Sequence, residues 1–305
     1  MHARSAFALL VASAVLTAAC GARTGLDASD QDAAKNDAAV DALGDAVIID
    51  AHGDTPGTVD AADAGAGVLA DLYVAASLFD TPTLFRFDPV KVTLTPIGPL
   101  HCATGSAWLL SMTTDRHGSM WFADSVGYLY RVERAGLTCN QEAYRPGQSG
   151  FDSVQIAWAA DPTPSGNPMA LFAITPSTNQ LAKIDVASWG LTVVGALDQS
   201  LELPRLAGSD DGRLFGMAFT SPLVEIDRRT AHVTTIGDIP AVSGSGGGMG
   251  LVVRGDDVFV FRGTTAGLVR FAQYSLSGHD VVSSGDASIA TGNVIIGAGV
   301  LDSGL

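Results

Sequence analysis

Two short patterns recur along this chain with a shared period, and a recurrence of that length restricts the fold more tightly than any composition. The first pattern is leucine, any residue, a charged residue, an apolar residue and an acid. It reads LFRFD from Leu84, LYRVE from Leu129, LAKID from Leu181 and LVEID from Leu223, with LVRFA from Leu268 taken as a fifth copy that ends in alanine. The five leucines stand 45, 52, 42 and 45 residues apart. The second pattern sets one aromatic residue in an apolar run, at Tyr73, Trp121, Phe172, Phe215 and Phe259, with spacings of 48, 51, 43 and 44. Two independent series do not share a period by accident.

Each unit continues into a third alternating stretch: TLTPIG, LTCNQE, LTVVGA, VTTIGD and DVVSSG. The later units also open with one: SAWLLSM, VQIAWAA, LPRLAGS and GMGLVVR. The joints DRHG at 115–118, SDDG at 209–212 and RGDD at 254–257 are turn formers, so the units read as antiparallel hairpins. Four short strands at a period near 46 residues predict an all-β fold, a β-propeller of five four-stranded blades. The first unit lacks its opening strand, and Asn293 to Val300 reads as an unpaired one that completes it and closes the ring without an open edge. A β-sandwich or an open repeat array is the alternative. Within this scheme DRHGSMWFADSVGYLYRVE is the middle of blade two, and Trp121 and Tyr130 are expected to pack between sheets.

What precedes the repeats is different in kind. MHARSAFALLVASAVLTAAC has Arg4 ahead of an apolar run from Ala6 to Leu16, too short to span a bilayer, and reads as an export signal over residues 1–19. From Gly21 to Ala70 there are ten Asp against one Arg and one Lys, and no aromatic residue. Such a stretch buries too little to offset the entropy of ordering, so residues 20–70 are expected to be a disordered acidic tether and 71–305 the folded domain. The tether carries about half of the formal charge of −15, and no basic cluster exists to neutralise phosphates, which argues against nucleic acid as a partner. Calcium is conceivable for so acidic a chain, but no D-x-[DN]-x-[DN]-G loop ending in Glu is present, and no bound cofactor is expected.

The three cysteines are Cys20, Cys102 and Cys139. In an oxidising compartment the last two form an even pair and read as a disulfide, with two free buried thiols as the alternative. No G-x-S-x-G, H-E-x-x-H, C-x-x-C or phosphate-loop motif occurs. His101, His117, His232 and His279 fall at turns, strand ends or solvent faces. The expected inner strands offer Trp108, Leu109, Gln155, Trp158, Leu206, Leu251 and Val253, a poor set of metal donors.

Several resemblances add to this. Leu16-Thr17-Ala18-Ala19 followed by Cys20 resembles the lipobox of bacterial lipoproteins, which implies that Cys20 carries lipid as a mature N-terminus; an ordinary cleaved signal ending Ala-x-Ala is the alternative. Gly21 after Cys20 is not the Asp that favours inner-membrane retention in some such proteins, so a cell-envelope location at the outer membrane or cell surface is expected. DRHGSMWFAD with GYLYRVE resembles hairpins of the virginiamycin B lyase, SMP-30/gluconolactonase and NHL propellers. Over its full length, the lipobox, CGARTGLD, the Asp/Ala tether and a domain ending IIGAGV, the chain resembles uncharacterised predicted lipoproteins of myxobacteria, a family with no activity to carry over. Propellers generally place ligands on the connections between blades, which here gives His101, Tyr144, Arg145, Asp152, Asp198, Glu202 and Arg205 as candidates. The expectation is a monomeric, lipid-anchored binding or scaffold module for a protein or glycan partner. The alternative is a metal-dependent enzyme of the lyase or lactonase type; no catalytic residue is nominated.

Overall fold

Each of the three turn formers reverses the chain between two antiparallel strands. The computed structural model describes residues 71–301, except 79–80, 103, 106, 162–168, 202–203, 220–221, 245–246 and 290–292. The signal over 1–19, Cys20, the tether over 20–70 and Glu202 therefore lie outside the described residues. Blade one holds β1 (Asp71–Leu78), β2 (Thr81–Asp88) and β3 (Thr93–Pro99). Blade two holds β4 (Leu109–Thr114), β5 (Met120–Asp124), β6 (Leu129–Val132) and β7 (Cys139–Gln141). Blade three holds β8 (Gln155–Ala160), β9 (Met169–Thr175), β10 (Gln180–Asp185) and β11 (Gly190–Ala196). Blade four holds β12 (Arg205–Gly208), β13 (Leu214–Met217), β14 (Leu223–Ile226) and β15 (Val233–Gly237). Blade five holds β16 (Met249–Arg254), β17 (Asp257–Gly263), β18 (Leu268–Ser275) and β19 (Asp280–Ser288). The last strand, β20 (Asn293–Leu301), pairs antiparallel with β1, Tyr73 opposite Gly299, and completes blade one as expected. The protein is a five-bladed β-propeller.

The inner strands β20, β4, β8, β12 and β16 touch one another in a closed ring. Hydroxyls of β4 stitch that ring: Ser111 Oγ accepts the Ile156 N–H at 3.0 Å, Thr113 Oγ1 the Trp158 N–H at 3.1 Å, and Thr114 Oγ1 the Val300 N–H at 3.2 Å. Each blade is sandwiched between two others, so the apolar core lies in five layers, one at each seam. Both faces of the inner strands are consequently covered, and β5 and β13 are buried at every residue. The outer strands β3, β11 and β19 are instead mostly exposed or half-buried. This is why the first two strands of each unit read as apolar runs and the last as mixed.

The two repeat series turn out to be partners. The aromatic of the second strand stands directly across from the charged residue of the third: Tyr73 opposite Arg86, Trp121 opposite Arg131, Phe172 opposite Lys183, and Phe215 opposite Glu225. In blade two the Arg131 guanidinium lies 5.9 Å from the Trp121 ring, a cross-strand pair that stabilises a hairpin by a few tenths to about 1 kcal/mol. The register corrects the fifth unit. Phe259 faces Gln273, so Phe271 and not Leu268 stands where the other units have leucine, and the acid's place falls to Ser275 instead of Ala272. Leu268 belongs to a hairpin extended at its far end.

In blades one, three and four the acid closing the first pattern caps the turn into the outer strand. Asp88 accepts the Val90 and Lys91 N–H groups, Asp185 that of Ala187, and Asp227 those of Arg229 and Thr230. Those backbone bonds hold the Asp88 and Asp227 carboxyls below the usual range; for Asp185 the Ser188 hydroxyl comes first. In all five blades the turn into the outer strand puts its last residue in the left-handed region: Val92, Leu137, Trp189, Ala231 and His279, with φ from 50° to 61°.

Candidate functional site

The left-handed residue of a turn leans on the blade before it, and the outer strand there makes room. Gly98 lies opposite Leu84, Gly195 opposite Leu181, Gly237 opposite Leu223 and Gly285 opposite Phe271. A Cβ on Gly98 would lie 3.0 Å from Leu137 Cδ1, and one on Gly285 would lie 3.1 Å from Val92 Cγ1. At Gly237 the close neighbour is the Tyr274 hydroxyl, 2.5 Å away. At Gly195 the nearest atoms, Ala231 Cβ and the Thr230 carbonyl, are at an ordinary 3.6 Å.

Blade two breaks the series. Its outer strand β7 has three residues, and the position that donates to the Leu129 carbonyl, at 2.9 Å, is Glu142. The residue leaning in from blade three is Trp189. A glutamate stands here where the other blades have glycine, and the seam between blades two and three holds a cleft of about 320 Å³; a hollow of about 330 Å³ lies at the seam between blades one and two, lined by Tyr73, Arg86, Arg134 and Leu137. The walls of the cleft carry Trp121 from β5, Arg131 from β6, Trp158 from β8 and Met169 from β9, with Asp115, Arg116 and His117 of the DRHG turn at one end and Val186 and Trp189 at the other. The Trp121 and Trp158 rings meet edge-on at 5.4 Å between centroids, and Trp121 and Trp189 are tilted at 6.2 Å. Trp158 and Met169 also line a smaller cavity of about 100 Å³ at the adjoining end of the ring of inner strands.

Three of the four charged side chains in the cleft are engaged within it, and Arg116 contacts the His117 ring at 3.4 Å. Glu142 pairs with Arg131 at 3.2 Å. Asp115 Oδ1 accepts the His117 and Ser119 N–H groups at 2.9 and 3.0 Å, and Oδ2 accepts Trp121 Nε1–H at 2.9 Å. Gly118, with φ 77°, lets the DRHG turn close tightly enough for this. Among the described residues two buried polar side-chain atoms stay without a partner, Tyr144 Oη and Trp158 Nε1, and both belong to this seam. Burial pushes the Tyr144 phenol up to about 12.

The residues expected at the blade connections are placed mainly as fasteners. His101 pairs through its backbone with Leu137 and Cys139, and the Cys102–Cys139 disulfide, with Cα atoms 4.7 Å apart, ties the exit of blade one to the outer strand of blade two. The bridge expected from the sequence is present. Asp198 Oδ1 accepts the Val233 N–H at 2.9 Å and its other oxygen meets His232 Nδ1, joining blades three and four; that backbone bond, ahead of the histidine, holds its carboxyl below the usual range. Arg205 is buried at the start of β12, donating to the Met249 carbonyl at 2.8 Å and to Gln155 Oε1 at 3.0 Å, and desolvation lowers its guanidinium to about 10. Tyr144 is buried, whereas Arg145 and Asp152 are exposed. Among the described residues no hydrogen bond or ion pair joins any two of these candidates, and no three His, Cys, Asp or Glu side chains gather as metal donors.

Tyr130 packs as expected, its hydroxyl donating to Asp124 at 3.1 Å, and Trp121 both packs and lines the cleft. Sequence reasoning did not find the cleft. Its signal is visible in hindsight: TLTPIG, LTVVGA, VTTIGD and DVVSSG share a glycine that LTCNQE lacks.

No protein-family model matches the sequence, and no curated protein matches it. Among solved structures the chain is similar to one in a nidogen/laminin complex, at 10% identity and a TM-score of 0.48, over 77% of this chain and 99% of that one. It is also similar to a protein of unknown function from Bacteroides thetaiotaomicron VPI-5482, at 12% identity and a TM-score of 0.46, over 70% of this chain and 58% of that one. A third, of unknown function from Bacteroides caccae, has 12% identity and a TM-score of 0.39, over 71% and 73%.

Proposed function

We propose that the chain is an exported binding module, held at the outer membrane or cell surface by lipid on Cys20 and carried away from the bilayer by the acidic tether over 20–70. The observation that carries the binding part is the cleft between blades two and three, whose walls carry three tryptophans and where Glu142 stands in the place of the seam glycine. The inner strands, where a lyase or lactonase of the propeller type would assemble its metal, spend Ser111, Thr113, Thr114, Gln155 and Arg205 on bonds between blades. Support for the anchor comes from the sequence alone: a short apolar run, small residues and Cys20. Two acyl chains or more would make it firm, at about 0.8 kcal/mol for each buried methylene.

Detergent partition and intact mass of the full chain, beside Cys20→Ser, test the anchor. The expected wild-type protein enters the detergent phase and weighs more than the chain from Cys20 by a diacylglyceryl group, with or without an amide-linked acyl chain. A Cys20→Ser protein that partitions identically overturns it. Elemental analysis after exhaustive dialysis tests the binding reading against the enzyme reading, and stoichiometric Ca, Zn or Mg would favour the enzyme.

A further inference from the structure

Three of the four tryptophans of the chain line the cleft between blades two and three. Trp189 is held there by a turn that places a bulky aromatic at φ 59°, a conformation such a residue seldom adopts. Trp158 is 7% exposed, lines the cleft and the two hollows beside it, and its indole N–H has no acceptor among the described residues. That nitrogen is sealed from the cleft, and Trp121 is buried as well, so the half-buried Trp189 is the indole that offers a face to a ligand.

The chemistry of the walls restricts that ligand. Two cations, Arg116 and Arg131, face two anions, Asp115 and Glu142, so the cleft has no net charge to attract a phosphate or an ammonium. Glu142 is engaged by Arg131 and Asp115 by three N–H donors, which leaves neither carboxylate free to pair with a quaternary ammonium enclosed by the indoles. What suits aromatic walls ringed by paired polar groups is a neutral molecule with apolar faces and hydroxylated edges. The volume, about 320 Å³, falls at the low end for small-molecule sites.

We propose that this cleft binds a neutral pyranose unit of a glycan, its C–H face against the Trp189 indole. The inference rests on the binding-module reading and supplies its ligand class. Tryptophan fluorescence of the lipidated full chain, in a detergent without a sugar headgroup, would be titrated with cellohexaose, chitohexaose and mannohexaose, and in parallel with choline and a proline-rich peptide. At least one hexaose is expected to shift the emission saturably. Trp189→Ala should weaken it tenfold or more, and Trp108→Ala, at the opposite end of β4, not at all.

The proposal is overturned if no hexaose binds, if binding survives Trp189→Ala in a protein that melts like the wild type, or if choline or the peptide occupies the cleft in preference. Hexaose binding lost with Trp108→Ala and kept with Trp189→Ala would move the sugar to the other face, refuting this site while leaving the module reading intact. The module reading falls on a different result, the stoichiometric metal of the elemental analysis.

Discussion

Blade two meets its neighbours in opposite ways. Towards blade one, Gly98 admits Leu137, the backbone of His101 pairs with the start of β7, and the Cys102–Cys139 bridge fixes the joint covalently. Towards blade three, Glu142 occupies the glycine's place, Trp189 stands where Leu137 does, and two buried polar atoms go without partners among the described residues. Both seams hold a hollow of similar volume, about 330 and 320 Å³, so one blade carries a seam fastened by a disulfide and one walled by tryptophans. The difference lies in side chains at equivalent positions, and it shows how a repeat fold can acquire a site: not by adding elements, but by changing what lines one seam.

Breaking the fastened side gives the largest expected effect. Cys102→Ser with Cys139→Ser should cost about 2–4 kcal/mol, the usual range for a native disulfide, measured by denaturant unfolding. Hydrogen exchange should then show β7 opening ahead of the inner ring. A double variant as stable as the wild type would mean that packing alone closes this seam.

A smaller loss is expected at another seam. In Gly237→Ala the new methyl would sit 2.5 Å from the Tyr274 hydroxyl, a group buried in the layer between blades four and five. Overpacking of this kind costs about 1–3 kcal/mol. A cost under about 0.5 kcal/mol would show that the outer seams are softer than the glycine series implies.

The tryptophan-walled side should gain stability when its unpaired group is removed. Tyr144→Phe deletes a buried hydroxyl without a partner and is expected to stabilise by up to about 1 kcal/mol at neutral pH. It should also change the alkaline limb. Burial raises the Tyr144 phenol to about 12 from its ordinary 10, so above pH 10 the unfolded chain ionises while the folded one does not. That contribution is complete below pH 10 and is lost as pH rises towards 12. The variant's stability should fall less steeply across this window, with Tyr130, also near 12, still titrating. An unchanged slope would place the phenol in contact with solvent.

How far the sequence disclosed this architecture follows from what repeats. The blade count, the closing strand from Asn293 and the disulfide were legible because each is written as a recurrence or a pair. The fifth unit was misplaced by three residues because Leu268 imitates the pattern, whereas register, which no spacing reveals, assigns Phe271 to that position. The connection residues were nominated from general propeller architecture, and the structure uses Asp198, His101 and Arg205 to join blades. The cleft was missed because it is marked by an absence, the glycine that LTCNQE does not have. A missing glycine carries no meaning until the seam is seen.

The smallest expected effect is the sharpest test of the comparison, because it makes the same residue at equivalent positions of two seams. Glu142→Ala removes an ion pair with a half-exposed arginine, 44% exposed at its side chain, and such pairs contribute from nothing to about 1 kcal/mol. The new methyl would face the cleft, so the change should stay under about 0.5 kcal/mol, against about 1–3 kcal/mol for Gly237→Ala. The ratio matters more than either value. Alanine tolerated at 142 and penalised at 237 means that blade two has been released from the packing constraint obeyed elsewhere, which is what a binding cleft requires. Equal costs would mean that the seam is as tightly packed as the rest, and the tryptophans along it would then be core residues and nothing more.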